Sequence, residues 1–516
     1  MSINSTNRSP AATDEPHGSL LISGAEVITM DALTGSTPVR RDIRIQNGAI
    51  AEIGPDLAPL PGETVINGHD RLVAPGLVNA HTHSWEALYK GRYDNLPLEL
   101  WMLFSYPPTG DVQVSPEMVH LRSQLFAAES LKSGVTTIVD DVLEIPHQDF
   151  DQLDAVVRAY EQIGIRANVS GHVVNKPFLE TFPFVDSMLE QGLLDRVADL
   201  PVPTTEDYLQ YSTEAFARYS GRGAGRISYM LSPSAPQRCT DDLLVGAAEL
   251  ARKNQAECHI HVLETKTQAV TGHEFYGTTI VKHLQRIGAL TPETTFAHGI
   301  WVTDEDIEII ADAEVSVSHN PNSNLKLGSG ILPWRKYQKA GVNLGLGTDG
   351  CSSSDTPRLS EVMKSAALLH KVSGPDFTQW PSVQEVLHAA TLGGARSAML
   401  QDRVGSLEVG KRADLVIYDL DTLAFTPRNR LQNHLVYSEN GSSIEYVMVD
   451  GKIVVDHGRL TTLDETALRG EVRARGEEIR GWQDDLDSLN SAFMSGFTQM
   501  YQQAQARDIG FTRFLG

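Results

Sequence analysis

The sequence predicts an α/β chain whose centre is a (β/α)8 TIM barrel. Short apolar strands alternate with helical stretches through the middle of the chain. Polar, chemistry-bearing residues fall at the C-terminal ends of those strands, and β-rich segments with tight turns flank the whole. The alternation is that of a parallel sheet with helical crossovers. Eight such repeats in about 320 residues fit a barrel with insertions. The strands are read at 76–83, 135–141, 166–173, 226–234, 257–262, 294–299, 314–320 and 342–349, with helices such as 115–134 and 303–313 between them. An open doubly wound sheet also gathers ligands at strand C-termini, so the polar rim does not by itself choose the barrel.

The flanks read differently. Residues 19–70 carry short strands with Asn47-Gly48 as a hairpin turn, and the texture returns in RADLVIYDL and around Asp450-Gly451 near the C-terminus. One small sheet domain built from both ends is expected, although two unrelated β segments would have the same texture. The 516 residues allow a barrel with attachments. A net charge of −23 argues against nucleic acid or an anionic membrane as the main partner. Three scattered cysteines exclude a disulfide framework and fit a reducing cytoplasm. The polar start lacks a secretory apolar core and reads as a flexible tail over 1–17, and no window is apolar enough for a membrane span.

The first strand ends in His81-Thr82-His83. Side chains alternate with period two, so both imidazoles point to one side and make half of a metal site. With this histidine content roughly half an HxH is expected by chance, so the pair alone says little. The fifth strand carries a second pair, His259 and His261, followed by Glu264. The later strands end in His298, in His319-Asn320 and in Asp349. In a closed barrel these ends meet. His81, His83, one histidine of the fifth strand and Asp349 would form a nitrogen-rich shell with one hard oxygen, suited to Zn²⁺ or Fe²⁺ with a position left for water. Asp349 has an alternative reading as a helix cap, and Cys351 as a small buried filler. A bound metal lowers the pKa of its water to about 7. Glu264 is placed to carry the water proton to a leaving group, and His298 to polarise the nucleophile or the tetrahedral intermediate.

The chain resembles the amidohydrolase superfamily, in its branch of triazine hydrolases and S-adenosylhomocysteine/methylthioadenosine deaminases. The residues that carry the resemblance are PGLVNAHTH (75–83), HIHVLET (259–265), FAHGIWVTDEDIEII (296–310), SHNPNSNLKLGSGILP (318–333), GVNLGLGTDG (341–350) and GARSAMLQDRVGSLEVGKRADLVIYDL (394–420). The resemblance implies a composite β-sandwich at 18–74 and 405–465 and a barrel at 75–404, and the amphipathic tail beyond reads as a C-terminal helical extension at 466–516. The resemblance also implies a homodimer or homotetramer. By position, the metal ligands fall on His81, His83, His261 and Asp349, and the proton-transfer pair on Glu264 and His298, with Asp349 also able to accept a proton. His259 is not assigned as a ligand. The fourth strand ends in Ser232-Pro233-Ser234, with no lysine to bridge two metals, which favours one ion per subunit.

Trp101, eighteen positions after His83, matches a tryptophan of the deaminase branch. With His319, Asn324 and Ser353 it is a candidate for contacting substrate. Where nucleoside deaminases place a glutamate for the ribose hydroxyls, an ungapped count falls on Gly110, which weighs against a nucleoside. The Cys351–Asp355 segment also departs from the usual pattern. The insertion at 175–189 reads either as a loop packed on the barrel or as an apolar lid, and the tail after 465 as packing on a partner subunit or on the barrel. The expected activity is a hydrolase that removes an amine from a ring carbon of a small heterocyclic or aryl substrate and releases ammonia or an amine. Amide or urea hydrolysis and dechlorination are rivals on the same site. A non-catalytic barrel protein is the distant alternative, since such proteins generally lose ligands and here every ligand position is filled.

Overall fold

The computed structural model describes residues 18–110, 114–144 and 149–515. The expected tail at 1–17 lies outside the described residues. The central sheet is parallel: β1 (Leu77–His83), β2 (Val135–Asp140), β3 (Arg166–Val173), β4 (Ile227–Pro233), β5 (Cys258–Val262), β6 (Thr294–His298), β7 (Ser316–His319) and β8 (Leu344–Leu346). The eighth strand resumes as the short piece Asp349–Gly350. Its first piece pairs with β7, while Asp349 and Gly350 pair with Thr82 and His83 of β1. The ring therefore closes through a split eighth strand, and the choice between barrel and open sheet is settled. Every residue of β2 and of β3 is buried, as a parallel sheet covered on both faces requires.

The second sheet is mixed and draws on both ends of the chain. Strand Arg71–Pro75 runs parallel to Leu20–Val27 on one side and antiparallel to Leu415–Asp419 on the other. Val27, Ile43, Val73, Leu415, Ile417 and Met448 form its apolar core. Both expected hairpin turns adopt left-handed backbone, with φ of 52° and 74° at Asn47-Gly48 and 55° and 75° at Asp450-Gly451. That is the geometry a tight two-residue hairpin demands. The two turns touch: a Cβ on Gly451 would lie 2.7 Å from the Gly48 Cα.

One buried ion pair joins the two sheets. Arg166, the first residue of β3, donates Nε to Asp414 Oδ2 at 2.8 Å and Nη2 to Asp414 Oδ1 at 3.0 Å. The Asp450 backbone N–H donates to the same carboxylate at 2.7 Å. Bidentate pairing with further hydrogen bonds is the arrangement in which a buried pair is tolerated.

The insertion and the C-terminal tail share a task. Helices Gly476–Asn490 and Met494–Ala506 bring Phe493, Phe497 and Met500 against Trp85, Trp101, Met102, Phe182 and Leu189. Phe178 stacks on Phe497 with centroids 5.8 Å apart. The tail thus packs on the mouth of its own barrel, and the insertion forms part of that apolar roof. Among the described residues no helix is long and apolar enough to cross a membrane.

Arg166→Met leaves the Asp414 carboxylate buried without its cation. It should cost about 3–5 kcal/mol in urea unfolding. Because Arg166 lies at the strand end opposite the polar rim, metal content of the folded protein should be unchanged; a loss below 1 kcal/mol would refute the coupling.

Candidate active site

The site begins with three histidines whose protons are spoken for. His83 donates Nδ1–H to the Asp141 carbonyl at 2.8 Å, and His261 donates Nδ1–H to the Ser234 carbonyl at 2.9 Å. His81 meets His259 Nε2 through Nδ1 at 2.8 Å, and His259 in turn faces Glu257 through Nδ1 at 2.9 Å. Glu257 takes the His259 proton, so His259 accepts from His81. In all three rings Nε2 is left with a bare lone pair. Burial holds His81 near a pKa of about 3 and His261 well below the ordinary value, which keeps those two lone pairs free; at His83 burial is outweighed by the charges of Asp141, Asp349 and Glu86, which raise its pKa.

The lone pairs converge. His261 Nε2 lies 3.3 Å from His83 Nε2, and both His81 and His83 present Nε2 at 3.4 Å from Asp349 Oδ1. Two unprotonated nitrogens facing each other at that separation repel unless a cation lies between them. The same distances fit the edge of a tetrahedron with ligands about 2.05 Å from its centre. His81 Nε2 is fully buried and has no hydrogen-bond partner. These four residues fit a zinc-type ion.

Asp349 reaches this point through strained backbone, with φ of 62°; His298 at the end of β6 has φ of 76°. Left-handed non-glycine residues at strand ends store strain of the kind found at reactive sites. Burial works against the Asp349 charge, but His81, His298 and His83 hold its carboxyl well below the usual range. The neighbouring glycines are steric necessities. A Cβ on Gly347 would meet Asn320 Oδ1 at 2.3 Å and the His81 Cβ at 2.9 Å; one on Gly350 would meet Glu86 Oε2 at 1.9 Å.

His298 is built the other way round. Its Nδ1 accepts from the side-chain amides of Asn324 at 2.9 Å and Asn320 at 3.3 Å, so its proton sits on Nε2. That N–H points between Glu264 Oε2 at 3.6 Å and Asp349 Oδ2 at 3.9 Å, too far to be satisfied by either. Burial lowers its pKa to about 4 and favours the neutral ring. Glu264 accepts from Ser329 Oγ at 3.2 Å. Burial, then the charges of Asp349 and Glu99, push its pKa well above the usual carboxylate range.

The remaining candidates separate. Trp101 lines the cavity over the cluster, together with Leu98, Met102, Tyr106, Arg238 and Leu327. Asn324 lies behind His298. His319 turns to His370, with Nε2 atoms 3.1 Å apart, and packs against Trp334, so it does not line this cavity. Ser353 donates to the Gly350 carbonyl at 3.2 Å and closes its own turn instead of facing the cavity. Strand-end position put His319 on the rim, and the hydroxyl-rich segment after Asp349 pointed to Ser353; ring packing turns the first away and a turn hydrogen bond the second. Other residues of the site went unread in the sequence. Glu86 accepts from the Ser352 backbone N–H at 2.8 Å and from its hydroxyl at 2.6 Å, and burial lifts its pKa to about 7. This accounts for Ser352 in the hydroxyl-rich segment after Asp349. Tyr106 wedges into the cavity with its ring 5.1 Å from Trp85 and 5.6 Å from Trp101. The space left is about 20 Å³, room for one water.

Fold and site together define a barrel protein with a histidine-aspartate cluster that fits a metal at its mouth, and the comparisons give the family. The model of the amidohydrolase family matches residues 72–454. The 5'-deoxyadenosine deaminase of Methanosarcina acetivorans is 36% identical over 460 residues, covering 89% of this chain and 98% of that protein. A zinc-bound adenosine deaminase from Xanthomonas campestris superposes with a TM-score of 0.78 at 30% identity, covering 90% of this chain and 98% of that one. The zinc complex of an atrazine chlorohydrolase from Arthrobacter aurescens gives 0.80 at 25% identity, covering 89% and 100%. The chain belongs to the amidohydrolase family.

Glu257→Gln removes the charge that fixes the His259 tautomer and hence the His81 lone pair. Zinc affinity, read by competition with a chelator, should fall about 10–100-fold. Unchanged affinity would remove the relay from the account.

Proposed function

We propose that this protein is an aminohydrolase using one metal ion per subunit, zinc in the first instance, to release ammonia or an amine from a ring carbon of a small nitrogen heterocycle. His81, His83, His261 and Asp349 would hold the ion. When bound, the ion supplies an acidified water as nucleophile. The observation that carries the reading is the pairing of Glu264 with His298 beside that ligand set, with opposite proton roles. Glu264 is a buried carboxyl able to take a proton and pass it to the departing amine, which must be protonated to leave. His298 presents an unsatisfied N–H where negative charge develops on the attacked ring. Trp101 and Tyr106 offer flat apolar faces for that ring and exclude water.

The relatives named for adenosine-type substrates support an amino-heterocycle. At position 110, however, this chain offers no group for a ribose. Gly110 has φ of 118°, and a Cβ there would meet Leu486 Cδ2 at 2.4 Å, so the tail helix leaves no room for a longer side chain. We therefore read the substrate as a heterocycle without a ribose held at that point. The likeness to the chlorohydrolase supports dechlorination as a second reading, but chloride leaves without a proton and would leave Glu264 half used. The three cysteines are free and buried, which supports a reducing, cytoplasmic setting. A homodimer or homotetramer belongs to the same reading.

The test is ammonia release from free bases, nucleosides, triazines and aryl ureas by zinc-loaded enzyme. Glu264→Gln should keep its metal and lose about 10²–10⁴-fold in kcat. Near-normal turnover in that variant, or full activity after exhaustive chelation, would sink the mechanism.

A further inference from the structure

Among the described residues, Arg238 is a buried cation with no carboxylate in hydrogen-bond contact. It lies in the short turn Pro236–Arg238 after β4 and lines the cavity beside Glu264 and His298. Only 8% of its surface is exposed. Nη1 donates to Ser234 Oγ at 3.3 Å, Nη2 points at the Met102 sulfur at 2.7 Å, and Nε has no partner. Of the other buried arginines, Arg44, Arg122 and Arg166 are each held by a carboxylate, whereas Arg226, away from this cavity, meets the Glu161 carbonyl. Glu264 and Glu99 act on Arg238 through space but make no hydrogen bond with it.

The pattern of its contacts is specific. The Nε/Nη2 edge of a guanidinium is a fork that takes a carboxylate through two parallel bonds. Here that edge faces only a thioether, a weak acceptor, while the one oxygen contact falls on the opposite nitrogen. An unpaired buried charge is costly, and a neutral carbonyl would leave that charge uncompensated. A carboxylate would satisfy both the charge and the fork.

Resting on the aminohydrolase reading, we propose that Arg238 anchors a carboxylate on the substrate, so that the amino-heterocycle taken by this enzyme carries an acidic substituent. The aminated ring then lies between the metal ligands and the Trp101 face, with its acid group turned to the β4 turn.

The experiment uses aminopyrimidines and aminopurines bearing a carboxymethyl group, each paired with its carboxamide. Ammonia release is measured with zinc-loaded enzyme, and binding by calorimetry to the Glu264→Gln variant. The preference for acid over amide should be about 100-fold in both kcat/KM and affinity. It should fall to near unity when Arg238→Met is introduced, and be kept in part by Arg238→Lys, which retains the charge. A ratio near unity before any change at Arg238, or a ratio that Arg238→Met leaves intact, overturns the proposal. Equal losses on acid and amide would mean that Arg238 only props Glu264, and overturn it as well. If no compound releases ammonia yet the binding preference persists and depends on Arg238, the anchor stands and the aminohydrolase reading falls. Ammonia release without an acid preference does the reverse.

Discussion

Everything in this site depends on where three imidazole protons go. Each ligand histidine gives its Nδ1 proton to a fixed acceptor: the Asp141 carbonyl, the Ser234 carbonyl, or the His259 ring backed by Glu257. Once those bonds are made, three Nε2 lone pairs and one carboxylate are forced together in a space that water barely enters. That concentration of electron density is unfavourable by itself, and the surrounding barrel sustains it. A cation relieves it. The geometry that fits a cation is thus held by the scaffold, through hydrogen bonds that prevent the rings from turning away.

The split eighth strand makes the convergence possible. β8 begins in register with β7, breaks at Gly347-Thr348, and resumes against β1 at Asp349. The break lets one residue leave the sheet plane in left-handed backbone and aim its carboxylate across the ring at His81 and His83. The Thr348 backbone N–H donates to Asn79 Oδ1 at 3.0 Å, and Thr82 Oγ1 donates to the Asp349 carbonyl at 2.9 Å, which ties the strained turn to the strand bearing the first two ligands. Closure of the barrel and completion of the ligand set are the same structural event.

Much of this was legible in the sequence, and the reason is periodicity. Two histidines one apart at the end of an apolar run must share a side, and Gly-Thr-Asp-Gly after a short strand marks a turn that only small residues permit. The family motifs then distinguished His261 from His259. What remained hidden has a common cause: it depends on groups with no sequence signature. The acceptors that orient His83 and His261 are backbone carbonyls, which any residue supplies. Glu86 matters because Gly350 leaves it space, a relation between positions far apart in the chain. His319 looked like a rim residue because strand position predicts only where a Cα lies; Trp334 and His370 decide where its ring turns. The tail could pack on a partner or on the barrel, and only the buried faces of Phe493 and Phe497 decide between them.

The division of labour between His298 and the ligand histidines follows from the same logic in reverse. His261 and His298 stack with ring centroids 5.6 Å apart, both buried, yet one keeps a bare Nε2 and the other a protonated one. The difference is the partner at Nδ1, a carbonyl that accepts in the first case and amides that donate in the second. Identical side chains therefore present a bare nitrogen in one case and an N–H in the other without any difference in burial. The roof extends the argument from reactivity to selection. Trp101, Met102 and Tyr106 come from the segment after β1 and pack under the tail through Phe493 and Phe497, and Arg238 comes from the turn after β4. With about 20 Å³ free, admitting a ring requires Tyr106 and its neighbours to yield. The histidine floor is held by buried hydrogen bonds, whereas the aromatic lining of the roof is held mainly by apolar contacts, with hydrogen bonds such as Asn490 to the Thr109 carbonyl and Tyr93 to Asp487 farther out. The floor can stay rigid while the roof repacks around a substrate, and a specificity that differs from that of the relatives is expected to reside in the roof.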